Sequence, residues 1–208
     1  MDYGYRGDTL IKVLNLYAGL GGNRKLWTGV DVTAVEMDKQ VVSIYKSLYP
    51  DDNIIIGDAH DYLLKNYREY DFIWSSPPCQ THSSFRQNIC VRFRGTPPVY
   101  PDMRLWQEIV FLQANCDAKW VVENVKPYYK PLINPTIELE RHLFWSNFDI
   151  KNKEFSGVKI RKAQIPQLQE YHGLKLDGIK LSNKRQHLRN CVHYDLGDYI
   201  FKISHQKT

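Results

Sequence analysis

The sequence lacks any apolar run approaching the roughly 18 to 20 residues that a membrane-spanning helix needs. Its opening, MDYGYRGDTL, has no basic segment followed by an apolar one, so it does not read as a secretory signal. Both absences point to the cytoplasm. Cysteine is sparse: Cys79, Cys90, Cys116 and Cys191 are widely scattered, with no CxxC and no neighbouring His at zinc spacing. Neither a disulfide framework nor a structural metal is expected, and the thiols should be reduced. Repeats and low-complexity tracts are missing too, which argues against a solenoid or a disordered tail. Net charge is modest, +5 with a pI near 8.9, and this permits a polyanionic partner without demanding one.

What is present is an alternation of short apolar runs with helix-like stretches. IKVLNLYA (11–18) reads as a buried strand ending in the turn GLGG, with a short helix over 23–29. DVTAVEM (31–37), NIIIGD (53–58), YDFIWSS (70–76) and KWVVENV (119–125) read as further strands. Helical spacing appears in 38–49, around 60–68 and in 103–116, and 138–150 suggests another strand or hairpin arm. Residues 151–182 are polar and irregular around Pro166, and the tail from Lys184 reads as a loop followed by a helix. Strands alternating with helices predict an α/β fold: a mostly parallel Rossmann-like sheet with helices on both faces. Ligands of such sheets sit at the carboxyl ends of the strands, where Glu36, Asp58, Cys79 and Glu123 would share one rim.

One end of that rim suits a cofactor. Glycine in YAGLGG (17–22) lets a ligand approach the backbone, and Glu36 at the second strand's end is placed to accept from two ribose hydroxyls. Asp58 closes the third strand, where a carboxylate can take an adenine amino group. The bland alternative is that both acids cap the helices that follow them. These residues alone leave NAD and S-adenosylmethionine (SAM) both open.

The other end is reactive. In SSPPCQ (75–80) two prolines stiffen the backbone, so Cys79 sits on a rigid turn. A lone cysteine is more often a small apolar filler, but the Ser- and Arg-rich stretch after it offers thiolate stabilisation. Glu123 ends an apolar strand, and burial would raise its pKa towards neutrality. A thiol beside such an acid suits cytosine: addition at C6 needs N3 protonated, and the adduct makes C5 nucleophilic towards a methyl donor. Arg141 stands ready for a base carbonyl or a phosphate, or is simply a surface arginine.

Taken together these residues resemble the DNA cytosine-5 methyltransferase family along nearly the whole chain. YAGLGG is similar to its FxGxGG cofactor loop, with Tyr17 for Phe, and brings Ala18, Gly19, Gly21 and Gly22 to the cofactor. The resemblance places Glu36 and Met37 at ribose and adenine, Asp58 and Ala59 at the adenine amino group, and Pro77 beside the cofactor. PPCQ is similar to the catalytic loop, so Cys79 takes the nucleophile's role, framed by Pro78 and Gln80. ENV is similar to the proton-donor motif, giving Glu123 the contact to N3 and Asn124 a loop-positioning role. KRQHLRNCVHYDLGDYI is similar to the closing GNSVxPxxAxxI segment, which would bring Asn190 and Val192 over the cofactor.

The implied cofactor is SAM and the implied partner is double-stranded DNA with its target cytosine flipped out, in a prokaryotic or phage-encoded, nucleoid-associated setting. The tract 81–101, with Ser83, Arg86, Arg92 and Arg94, resembles a mobile loop closing over that base, or is a solvated charged loop. The resemblance divides the chain into a SAM-binding catalytic part (1–150), a reduced recognition segment (151–182) and a closing segment (183–208). There are departures: only Arg141, beside His142, remains of the family's QxRxR element, and Arg189 replaces a glycine. The family's recognition region is domain-sized, whereas 151–182 is a loop's worth. Short or relaxed specificity is therefore expected, aided by phosphate contacts from Lys151, Lys153, Lys159, Arg161 and Lys162, or by a separate targeting partner. The alternatives are a tRNA cytosine-5 methyltransferase and a non-catalytic nucleic-acid-binding relative. An amino-methyltransferase fits less well, since SPPC puts Cys79 where its motif carries a stacking aromatic.

Overall fold

The computed structural model describes residues 10–155, 160 and 162–206. In chain order the elements are β1 (Ile11–Leu16), β2 (Val30–Glu36), α1 (Lys39–Leu48), β3 (Asn53–Ile56), α2 (Ala59–Asn66), β4 (Phe72–Ser75), α3 (Arg92–Arg94) and α4 (Arg104–Asn115). They continue with β5 (Lys119–Val125), β6 (Ile137–Leu139), β7 (His142–Ser146), α5 (Ile165–His172), α6 (Lys184–Asn190) and α7 (Tyr194–Ser204). The strands form one sheet in the order β3-β2-β1-β4-β5-β7-β6. The pairs among β1 to β5 are parallel, while β7 runs antiparallel to both β5 and β6. From β1 the chain first builds outward through β2 and β3, then returns to β1's other side with β4. That reversal marks the crevice where ligands of open α/β sheets bind.

The strand sequences explain their positions. IKVLNL and FIWS are buried on both sides, as parallel strands covered by helices must be. Leu14, Leu16, Ile73, Trp120 and Val122 face one layer, filled by Leu63 of α2 and by Leu105, Trp106, Ile109 and Leu112 of α4. Val13, Val32, Phe72, Trp74 and Val121 face the other, against Leu196, Ile200 and Phe201 of α7. Tyr45 of α1 packs with Ala34 on that second side. The α/β fold with helices on both faces is thus the observed one.

Several local expectations are corrected. The helix expected over 23–29 is instead a run of turns over 22–26 with irregular backbone to 29, because Asn23 and Arg24 direct their side chains to Asn15 and Asp52. The strand or hairpin arm expected over 138–150 is a whole hairpin over 137–146, β6 to β7, turning through Glu140 at φ 54°. Within 81–101 the backbone winds into a π-helical stretch, Arg86–Val91, continued by α3. The irregular reading of 151–182 misses α5, in which Pro166 occupies the first turn, where its missing N–H is harmless, behind a capping box from Gln164. The tail holds two helices, α6 and α7, where one was expected. Lys159 and Arg161 lie outside the described residues.

One contact ties α7 to the turn after β1. A Cβ at Gly197 would lie 2.3 Å from the Asn23 carbonyl oxygen and 2.6 Å from its Cα, and both are backbone atoms. Gly197→Ala gains about 1 kcal/mol of helix propensity but forces a backbone shift that typically costs about 1 to 3 kcal/mol. The variant should therefore unfold at a lower temperature than the parent, by a few degrees per kcal/mol. A calorimetric scan checks this, and an unchanged or higher midpoint would show that the contact yields freely.

Candidate active site

A cavity of about 360 Å³ opens at the carboxyl ends of β1, β2, β4 and β5 and is covered by residues 187–192. Tyr17, Ala18, Gly19, Gly22, Glu36, Met37, Asp58 and Ala59 line one end. Pro77, Pro78, Cys79, Gln80, Glu123 and Arg141 line the other, with Asn190 and Val192 also in the wall. The sheet thus gathers residues more than a hundred positions apart.

At the first end Glu36 is oriented by backbone amides. One oxygen accepts from Gly19 N at 3.0 Å and the other from Met37 N and Asp38 N at 2.8 and 2.9 Å. Asp38, not Glu36, caps α1. Asp58 does cap α2, but with Oδ1 alone, while Oδ2 lies 3.4 Å from Arg104 Nη1 at the cavity wall. Both readings of Asp58 therefore hold in one side chain. The glycines divide in role. Gly19, at φ +54°, has only one carbonyl near the position of a Cβ, so its face is open to the cavity. Gly21 does not line the cavity: a Cβ there would strike the Tyr49 ring at 2.4 Å. Gly22 lets the Val192 carbonyl come close, at 2.5 Å from where a Cβ would be. An open backbone face beside a fixed carboxyl and a second, half-committed carboxyl suits an adenosine-bearing cofactor.

At the second end Asn124 Nδ2 donates to the Pro77 carbonyl at 2.9 Å and fastens the proline segment to β5. The chain then turns tightly, His82 N and Ser83 N both donating to the Cys79 carbonyl. Cys79 is partly exposed, and burial of its sulfur together with the nearby Glu123 charge pushes its thiol up to about 11. Burial pushes Glu123 from 4.5 to about 7, against the opposing pull of a Ser76 hydrogen bond and of Arg141. His142 Nε2 lies 3.5 Å from Glu123 Oε1. Its own burial holds that ring well below the ordinary histidine range, so the contact joins a carboxyl to a neutral imidazole rather than forming an ion pair. Arg141 Nη2 donates to the carbonyls of Arg189 (2.8 Å) and Cys191 (3.4 Å), while its buried Nε has no partner among the described residues. Arg141 is therefore no free surface arginine.

Not every expected residue converges. Ser83, Arg86 and Asn124 stand outside the cavity wall, Ser83 bridging to Pro127 and Arg86 reaching the Pro97 carbonyl. Sequence reasoning missed Ser76, Arg104 and His187 in the wall. Ser76 and His187 lie within the two tracts already singled out, 75–80 and the closing segment, whereas Arg104 reaches the rim only through the tertiary fold.

Sheet order and site together define a Rossmann-like α/β protein with a rim cavity that holds Glu36 and Asp58 at one end and a cysteine–glutamate pair at the other. Residues 11–131 match the family model described as C-5 cytosine-specific DNA methylase, more than half of the chain, and the protein belongs to that family of SAM-dependent methyltransferases. It is similar to the Type II methyltransferase M.HgiBI of Herpetosiphon aurantiacus, 26% identical over 126 residues, 58% of this chain and 27% of the relative. It is also similar to a tRNA (cytosine(38)-C(5))-methyltransferase of Spodoptera frugiperda, 35% identical over 77 residues, 33% of this chain and 23% of that protein. Among solved structures it resembles the SAM dependent methyltransferase from Agrobacterium tumefaciens, at 19% identity and a TM-score of 0.40, covering 58% of this chain and 40% of that one. The chain spans about a quarter of the length of the two curated relatives.

The environment of Glu123 makes a pH prediction. A carboxyl raised from 4.5 to about 7 contributes stability below 4.5 that is lost as pH climbs to 7. Glu123→Gln does not titrate, so its stability relative to the parent should rise by about 3 kcal/mol across that window and stay level above it. Urea denaturation of both proteins from pH 4.5 to 8 measures the difference, and a flat difference would show that Glu123 is not raised.

Proposed function

We propose that this protein transfers a methyl group from SAM to C5 of cytosine in DNA, with Cys79 as nucleophile and Glu123 as the acid at N3. The observation that carries this reading is the pairing of Cys79 with a carboxyl still protonated near neutrality, in the cavity that also holds Glu36 and Asp58. Glu36 would hold the ribose and Asp58 the adenine amino group. When bound, SAM supplies an electrophilic methyl group on a sulfonium and leaves as a neutral thioether.

The protein's own residues order the rest. Glu123, still protonated, hydrogen-bonds N3 and passes its proton there as C6 is attacked, which makes C6 electrophilic. Cys79 loses its proton to solvent and its Sγ bonds to C6, while the C5=C6 electron pair shifts to make C5 nucleophilic. Arg141 lowers the Cys79 pKa, and so does protonation of Glu123, since its negative charge is what repels the thiolate. After C5 is methylated a base removes the C5 proton. The electron pair left behind restores the double bond, expels the Cys79 thiolate, and N3 returns its proton to Glu123.

One observation favours DNA as the substrate, and a second suits a nucleic acid of either kind. The family model is of DNA methylases. The chain's positive surplus is concentrated in residues 151–190, which carry ten Lys and Arg against three Asp and Glu and include Lys151, Lys153 and Lys162. In this reading residues 1–150 bind cofactor and do the chemistry, 151–182 contact phosphates with short or relaxed sequence preference, and 183–208 close the pocket. A separate targeting partner would supply any longer recognition. Transfer to tRNA is the second reading, favoured by the 35% identity to the tRNA enzyme.

Methyl-labelled SAM incubated with unmethylated duplex DNA, and separately with tRNA, tests both readings. Label should appear as 5-methylcytosine in DNA, and Cys79→Ala should lose activity by at least about a thousandfold. Label confined to tRNA would replace the DNA reading, and label retained by Cys79→Ala would overturn the nucleophile.

A further inference from the structure

Glu108 lies on the buried face of α4, is 1% exposed, and does not line the cavity. Its carboxyl nevertheless meets three separate segments. Oε1 accepts from the Tyr17 hydroxyl at 2.5 Å and lies 3.0 Å from His60 Nδ1, and Oε2 accepts from Ser75 Oγ at 2.6 Å. In each case the adjoining residues form the cavity wall. Tyr17 leads into Ala18 and Gly19, Ser75 into Ser76 and Pro77 ahead of Cys79, and His60 follows Asp58 and Ala59. Tyr17 itself sits at φ 55°, in the left-handed region that a bulky residue avoids unless its surroundings hold it there.

We propose that Glu108 is a positioning residue that couples the cofactor loop at Tyr17 to the strand end carrying Cys79, so that cofactor affinity depends on Ser75 although Ser75 does not reach the cavity. Short hydrogen bonds in a dry site are stronger than exposed ones, and a shared acceptor makes its donors interdependent. Removing the Tyr17 hydroxyl frees the left-handed turn and tilts Gly19 away from Glu36. Removing the Ser75 hydroxyl leaves the carboxyl one donor short, and it shifts towards the remaining two, carrying Tyr17 with it. The Phe that the related cofactor loop carries is therefore not a neutral replacement in this chain.

The proposal rests on the reading of this cavity as the SAM site, and S-adenosylhomocysteine titrated by calorimetry separates the two. The parent, Tyr17→Phe, Ser75→Ala and the double variant are compared, with thermal midpoints of the ligand-free proteins measured beside them. Each single variant should weaken binding about tenfold, and the double variant well short of a hundredfold, since both act through one carboxyl. Parent-like affinity in both single variants, or a full product of the two losses in the double variant, would overturn the coupling. A lowered midpoint with unchanged affinity would also overturn it, by showing a structural role alone. A parent that binds no S-adenosylhomocysteine would overturn the cofactor reading and this proposal with it.

Discussion

Arg141 sends its guanidinium from the β6–β7 hairpin to the carbonyls of Arg189 and Cys191, and the site takes its shape around that attachment. The closing segment is otherwise far from Glu123 in sequence, yet this bond lays it across the cavity, with Cys191 and Val192 in the wall. Close packing of Gly22 under the Val192 carbonyl completes the seam from the cofactor side. The same cation opposes the burial that raises both Cys79 and Glu123. Wall and electrostatics therefore share one residue, which the surface-arginine reading of the sequence would have set aside.

The chemistry follows from how the sheet rim is buried. A carboxyl at the end of an apolar strand keeps its proton, and a thiol beside it keeps its own. Neither group is activated in isolation. The two are coupled, because a Glu123 that keeps its proton carries no charge to repel a thiolate on Cys79. His142, neutral and buried next to Glu123, adds no charge that would disturb this balance.

The strands were legible in the sequence because strands covered on both faces carry near-continuous apolar runs, and residues 13–14, 72–74 and 120–122 are such runs. Helix α1 was legible from the helical spacing of Val41, Ile44 and Tyr45, although its cap is Asp38 and not Glu36. The misreadings share a cause. Residues 23–29 carry helix-compatible side chains that are drawn into tertiary hydrogen bonds, and Pro166 looked like a breaker because its place in a first turn depends on where the helix begins. At the site, Cys79, Glu123, Glu36 and Asp58 were legible from strand-end placement. Glu108 was not: in α4 it reads as one polar residue of an amphipathic helix, and only the fold reveals that it faces inward. The glycines of the turn divide, since Gly21 makes room for the Tyr49 ring away from the cavity, while Gly19 and Gly22 both line it, Gly22 also beneath the Val192 carbonyl.

The account centres on a covalent bond between Cys79 and cytosine C6, and a duplex oligonucleotide carrying 5-fluorocytosine tests it most directly. Fluorine at C5 cannot leave as a cation, so the adduct should persist after methyl transfer. Mass spectrometry of the denatured protein incubated with this duplex and SAM should show a conjugate mapped to the Cys79 peptide and absent from Cys79→Ser. A turnover-competent protein that forms no conjugate, or forms it through another residue, would contradict the account.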